Sequence, residues 1–126
     1  MRFLLDTTFA IDFLRGDAAA VDRFAALFEA GDVPYVNEVV LCELAVGIGP
    51  AELAGFGAFV RAVSFVQPGP DAAIIAGEWR SRARERGRVL SVSDALIAAA
   101  AQGLDAPVMT RNRRDFELTP AAVSTY

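Results

Sequence analysis

Apolar residues come in short bursts along this chain, and their spacing changes from burst to burst. Phe3-Leu4-Leu5 is continuous, without the alternation of a half-exposed strand, which predicts a strand covered on both faces as in a parallel sheet between helices. Ile11 and Leu14 then predict a short helix capped by Thr8 and stopped by Gly16. Asp17 caps a second helix, with Val21, Phe24 and Phe28 as its buried stripe and Gly31 as its stop. Pro34-Tyr35-Val36 is a second strand, and Asn37 caps a helix over Glu38 to Val46. Gly47, Gly49 and Pro50 interrupt the chain before Phe56, Phe59, Val60 and Val63, an amphipathic helical row, and Ser64-Phe65-Val66 is a third strand. Pro70 opens a long helix whose stripe is Ala72, Ile75, Ala76, Trp79 and Ala83 and whose end is Gly87. After the short stretch Val89 to Val92, Ser91 or Ser93 precedes a helix of small residues beginning at Asp94 and closed by Gly103. Pro107-Val108-Met109-Thr110 is a fourth strand, and Val123 falls on an edge strand.

Strands alternating with helices define an α/β class: one domain over residues 1–126, with a short, mostly parallel sheet flanked by helices. The chain shows no internal repeat, linker or low-complexity tail. Its apolar fraction is 54% and its mean hydropathy +0.36, yet no apolar run approaches the roughly 18 residues that span a bilayer. A core-like strand starts at once, leaving no room for a leader segment, so a cytoplasmic protein without a membrane partner is expected. The surplus of apolar residues predicts a covered surface, through a homodimer and a docked partner segment.

Absences narrow the chemistry. Without histidine there is no serine or cysteine triad and no imidazole metal site. Cys42 is alone, which removes internal disulfides and thiolate zinc. All twelve basic residues are arginines, so a P-loop lysine, a Schiff base and a lysine general base are excluded. Catalysis, if present, falls to carboxylates, and a carboxylate cluster selects hard cations such as Mg²⁺ or Mn²⁺.

Four acids stand where the fold does not require them. Asp6 ends the first strand, at the edge where open α/β sheets bind ligands; as a helix cap it has an equally good structural reading. Glu43 sits in the apolar run Val39 to Val46, where a buried lone carboxylate costs several kcal/mol unless paired or ligated, the alternative being a solvent-facing helix margin. Asp94 opens a helix, where the dipole also favours an acid. Asp115 follows a strand end and is flanked by Arg113 and Arg114, which suit an ordinary surface acid as well. The net charge of −4 speaks against a nucleic-acid partner, but setting these four aside leaves twelve acids against twelve arginines.

Leu4-Leu5-Asp6-Thr7-Thr8, Glu43-Leu44 with Gly47, Asp94-Ala95-Leu96-Ile97-Ala98-Ala99 and Thr110-Arg111-Asn112-Arg113-Arg114-Asp115-Phe116 resemble the four blocks of the PIN domain, in order and over nearly the whole chain. Within that family the chain is similar to the VapC toxins of bacterial toxin–antitoxin pairs. The resemblance implies a ribonuclease dependent on Mg²⁺ or Mn²⁺, with Asp6, Glu43, Asp94 and Asp115 as catalytic metal ligands, RNA as substrate and a cognate VapB-like antitoxin as partner. Thr8 stands where the family often has Asn or Ser and keeps a hydroxyl; it and Asn112 would support the ligands, with Asn112 the alternative to Asp115. A catalytically silent PIN-like interaction module is the competing reading. Receiver domains and aspartyl-phosphate phosphatases also place Asp before Thr after a first strand, but they use a lysine that this chain lacks.

Arg80, Arg82, Arg84, Arg86 and Arg88 divide by helical spacing, Arg80, Arg84 and Arg88 sharing one side. These three and Arg111 are the expected RNA contacts. Pairs from Glu78 to Arg82 and Glu85 to Arg88 would instead make the helix an ordinary solvated face.

Overall fold

A parallel five-stranded sheet, in the order β3-β2-β1-β4-β5, runs through the middle of the computed structural model, which describes residues 1–126. The strands are β1 (Arg2–Leu5), β2 (Val33–Asn37), β3 (Ser64–Val66), β4 (Val108–Met109) and β5 (Val123–Ser124). The helices are α1 (Thr7–Leu14), α2 (Ala18–Glu29), α3 (Glu38–Val46), α4 (Leu53–Ala62), α5 (Pro70–Glu85) and α6 (Val92–Gly103), and a 3-10 turn covers Arg113–Phe116. Leu4 and Leu5 are both fully buried although their side chains leave opposite faces of β1, which is why that strand shows no alternation.

The chain winds outward from β1 through β2 to β3, then crosses back by α5 and α6 to lay β4 on β1's other side. Strand order therefore reverses at β1, and the crevice beyond the carboxyl ends of β1 and β4 is the place where such sheets bind ligands. Leu5 is level with Met109, so the residues that leave the two strands side by side are Asp6 and Thr110.

The element pattern follows the sequence with three local differences. Helix α1 begins at Thr7 with Asp6 as its cap, two residues earlier than expected. In α2 the buried row is Ala20, Phe24 and Leu27, while Val21 and Phe28 are exposed. The cause is the alanine: Ala20 buries no area worth noticing in a hydrophobicity pattern but lets the helix approach closely, and that sets which side faces in. Phe28 then covers the edge of Phe24, their centroids 5.1 Å apart. Helix α6 begins at Val92, two residues before Asp94, with Ser91, one of the two expected residues, as its cap, its hydroxyl accepting from the Asp94 N–H at 3.0 Å.

Alanines at 95, 98, 99, 100 and 101 are buried in α6, which lies between α5 and the sheet. The apolar surplus of the composition is visible at the surface, where Val46, Leu53, Ile74 and Val89 are more than half exposed. No helix is long and apolar enough to cross a membrane.

Candidate active site

Asp6 is 4% exposed and fully engaged. Its Oδ1 accepts from the Thr7 N–H at 2.7 Å, and its Oδ2 accepts from the hydroxyls of Thr8 at 2.8 Å and Thr110 at 2.7 Å. Both readings of this residue hold together: it caps α1 and presents a carboxylate at the switch point. Burial raises its pKa, and the Thr110, Thr8 and Thr7 hydrogen bonds work against that rise, with Asp115 adding to it.

Thr110 is completely buried at the end of β4. Its oxygen also accepts from the Asn112 N–H at 3.0 Å, which can only donate, so its own proton must point to Asp6. Neither this role nor that of Thr7, whose hydroxyl donates to Glu43 Oε1 at 2.6 Å, is assigned by the sequence reading. The signal for Thr110 was present: a polar residue ending an apolar strand, as Asp6 does, in a sheet that makes the two strands neighbours. Thr110→Val keeps the shape but removes that donor and leaves the Asn112 N–H without its acceptor. We expect a loss of about 1–3 kcal/mol in stability and, by analogy with partners that orient metal ligands, about 10- to 100-fold in activity. Thermal melting and RNA cleavage measure the two, and wild-type cleavage by the variant would show that Thr110 does not hold Asp6 in its working position.

Glu43 corrects one argument from sequence. It is exposed, not buried among its apolar neighbours; the inward face of α3 is Val40 and Leu44, while Cys42, Ala45 and Val46 face out. The apolar run misleads because half of it covers nothing within this chain. What turns Glu43 toward the site is the Thr7 hydroxyl.

Asp94 lies partly buried in the first turn of α6. Burial pushes its pKa up to about 6, a hydrogen bond with Ser91 pulls it back, and the charges of Asp115, Asp6 and Glu43 all raise it further. One carboxylate thus feels the other three. Asp115 is on the exposed 3-10 turn, and Asn112 is exposed just before it, meeting Thr110 through its backbone alone.

None of the four acids is in an ion pair, although the chain carries twelve arginines. Nor do any three of them draw close enough to chelate one cation with the side chains as they stand. By donor type, an all-oxygen set of this kind fits a hard divalent cation and no soft one.

Arg111 has partners within the protein. Its guanidinium lies 3.0 Å from Asp17 and 3.6 Å from Asp12, over the ring of Tyr126, whose hydroxyl donates to Asp12 at 2.7 Å. These contacts tie Tyr126 and Asp17 to Asp12 of α1, with the Arg111 side chain still 46% exposed. Arg80 donates from Nε to the Leu90 carbonyl at 2.9 Å, and Arg88 is paired with Glu117.

A buried, hydroxyl-held aspartate at the switch point of a parallel sheet, with three further carboxylates around it, defines a class of acid-cluster α/β domain. The family model of the PIN domain matches residues 3–121, and the chain belongs to that family. It is 39% identical over 123 residues to "Ribonuclease VapC19" of Mycobacterium tuberculosis, with 98% of each chain covered. Among solved structures it is similar to VapBC2 from Rickettsia felis bound to a promoter DNA fragment (TM-score 0.87, 18% identity, 100% of this chain and 99% of that one). It is also similar to DNA-bound VapBC from Salmonella typhimurium (TM-score 0.85, 23% identity, 99% and 98%).

Proposed function

We propose that this protein is a divalent-metal-dependent ribonuclease, the toxin of a VapBC-like pair, acting in the cytoplasm and held in check by a cognate VapB-like antitoxin. The observation that carries the reading is a set of four carboxylates without ion pairs, three of which raise the pKa of the fourth, Asp94, in a chain 39% identical, almost end to end, to a named ribonuclease. The similarity to VapBC complexes supports the antitoxin.

Asp6, Glu43, Asp94 and Asp115 would hold one or two Mg²⁺ or Mn²⁺ ions. Such an ion, when bound, lowers the pKa of water and offsets charge on the scissile phosphate. Asp6 is prepared for ligation because three donors fix both its oxygens and oppose the effect of burial on its charge. Thr7 performs the same service for Glu43, and α6 offers its positive N-terminal end to Asp94. Asn112 and Asp115 are both exposed, at the start of and within the 3-10 turn, so either can complete the set.

The test is cleavage of total RNA by the purified chain with Mg²⁺ or Mn²⁺ and with EDTA. Cleavage should stop in EDTA and return on adding metal. Undiminished cleavage in EDTA would remove the metal mechanism, and no cleavage under any condition would favour the silent interaction module.

A further inference from the structure

Five arginines between positions 80 and 88 share a single carboxylate partner, Glu117 on Arg88. The pairs with Glu78 and Glu85 that would make this an ordinary solvated face are not formed. Arg80, Arg84 and Arg88 instead line one cleft of about 300 Å³ between α5 and the loop that follows it, with Gly77 leaving space and Ser81 adding a hydroxyl. Arg80 is held in place by the Leu90 carbonyl through Nε, so its terminal nitrogens remain for a ligand. Arg84 makes no hydrogen bond or ion pair within the protein. Three guanidiniums around one concavity repel one another, and in a protein of net charge −4 they form a local reversal of sign.

We infer that this cleft is a subsite for a backbone phosphate of the RNA, away from the phosphate that is cleaved; it rests on the ribonuclease reading above. Planar guanidiniums with free N–H groups match phosphate oxygens. The position suits the task, since the loop runs directly into Ser91 and Asp94, and Glu117 directly follows the turn that carries Asp115. The cleft therefore joins the two segments that deliver site acids. Glu117 takes the place of the ligand on Arg88, and an arriving phosphate displaces this exposed carboxylate.

The experiment is fluorescence anisotropy with a labelled 20-nucleotide single-stranded RNA, read across a salt series. The full chain is used in EDTA, and again as Asp94→Asn, so that no cleavage intervenes. Arg84→Gln should weaken binding and flatten the slope of log affinity against log salt by about 0.7, the value for one lost contact on a single strand. Glu117→Gln should tighten binding by about 1.5- to 5-fold, the range spanned by an exposed ion pair. An unchanged slope in Arg84→Gln overturns the subsite, as does weaker binding by Glu117→Gln. Loss of affinity for a poly-glutamate peptide but not for RNA also overturns it and gives the cleft to an acidic protein segment. Cleavage of RNA by the wild type together with an unchanged slope removes the subsite alone. A flattened slope in a chain that never cleaves RNA removes the enzyme reading alone.

Discussion

Asp6→Asn yields a folded protein that does not cleave RNA. The amide has the size of the carboxylate, and its oxygen still accepts from the Thr7 N–H that starts α1. The Thr8 hydroxyl is free to rotate and accept from the new NH₂ group, and Thr110 retains a lone pair for the same purpose. What disappears is the negative charge, whose burial in the metal-free protein is unfavourable, as the raised pKa shows. Thermal stability without metal should therefore equal or exceed that of the wild type. Activity should fall by more than the roughly 10- to 100-fold typical of losing a residue that merely orients a metal ligand. Cleavage assays and melting curves on the same preparation measure both, and near-wild-type cleavage would mean that the chemistry is centred elsewhere.

The reach of sequence reasoning depended on what each residue had to satisfy locally. Helix caps at Asp17, Asn37 and Ser91 and the stop at Gly31, where φ is +75°, are demands of a few neighbouring backbone groups, so their residue types announce them. The placements of Asp6 and Asp94 are legible for a similar reason, one ending an apolar run and the other opening a helix. Glu43 is exposed, against the argument from its apolar neighbours, because a single chain does not show which half of an apolar helix meets the core. Thr110 and Asp6 are 104 residues apart, and their bond exists only because β4 lies beside β1. The fate of Arg111 was hidden likewise, since its partners are Asp12, Asp17 and Tyr126, distant in sequence and brought together by the chain's last turn.

Asp94→Asn should abolish cleavage and at the same time make the metal-free protein more stable at neutral pH. The pKa of Asp94 is about 6 in the folded chain against 3.8 for the ordinary group. Between those values the native state keeps a proton that the unfolded state has released, so stability falls as pH rises from about 4 to 6 and stays lower above it. Asp6, raised in the same direction by burial, adds to that slope. A shift of about two units would correspond to nearly 3 kcal/mol, but Asp94 is only half-buried, and solvent screening reduces this to about 1 kcal/mol. For a domain of this size that is about 3–5 °C in Tm. The asparagine variant, having nothing to titrate at that position, should gain that margin over the wild type at pH 7.5 and lose most of it at pH 4. Mg²⁺ or Mn²⁺ should produce the complementary pattern in the wild type, raising Tm more at pH 7.5 than at pH 5, because binding requires the ionised acids that folding alone disfavours. Melting curves at the three pH values, with and without metal, decide the matter. If Asp94→Asn is no more stable than the wild type at pH 7.5, the burial and neighbouring charges that raise the pKa of Asp94 do not destabilise the metal-free protein.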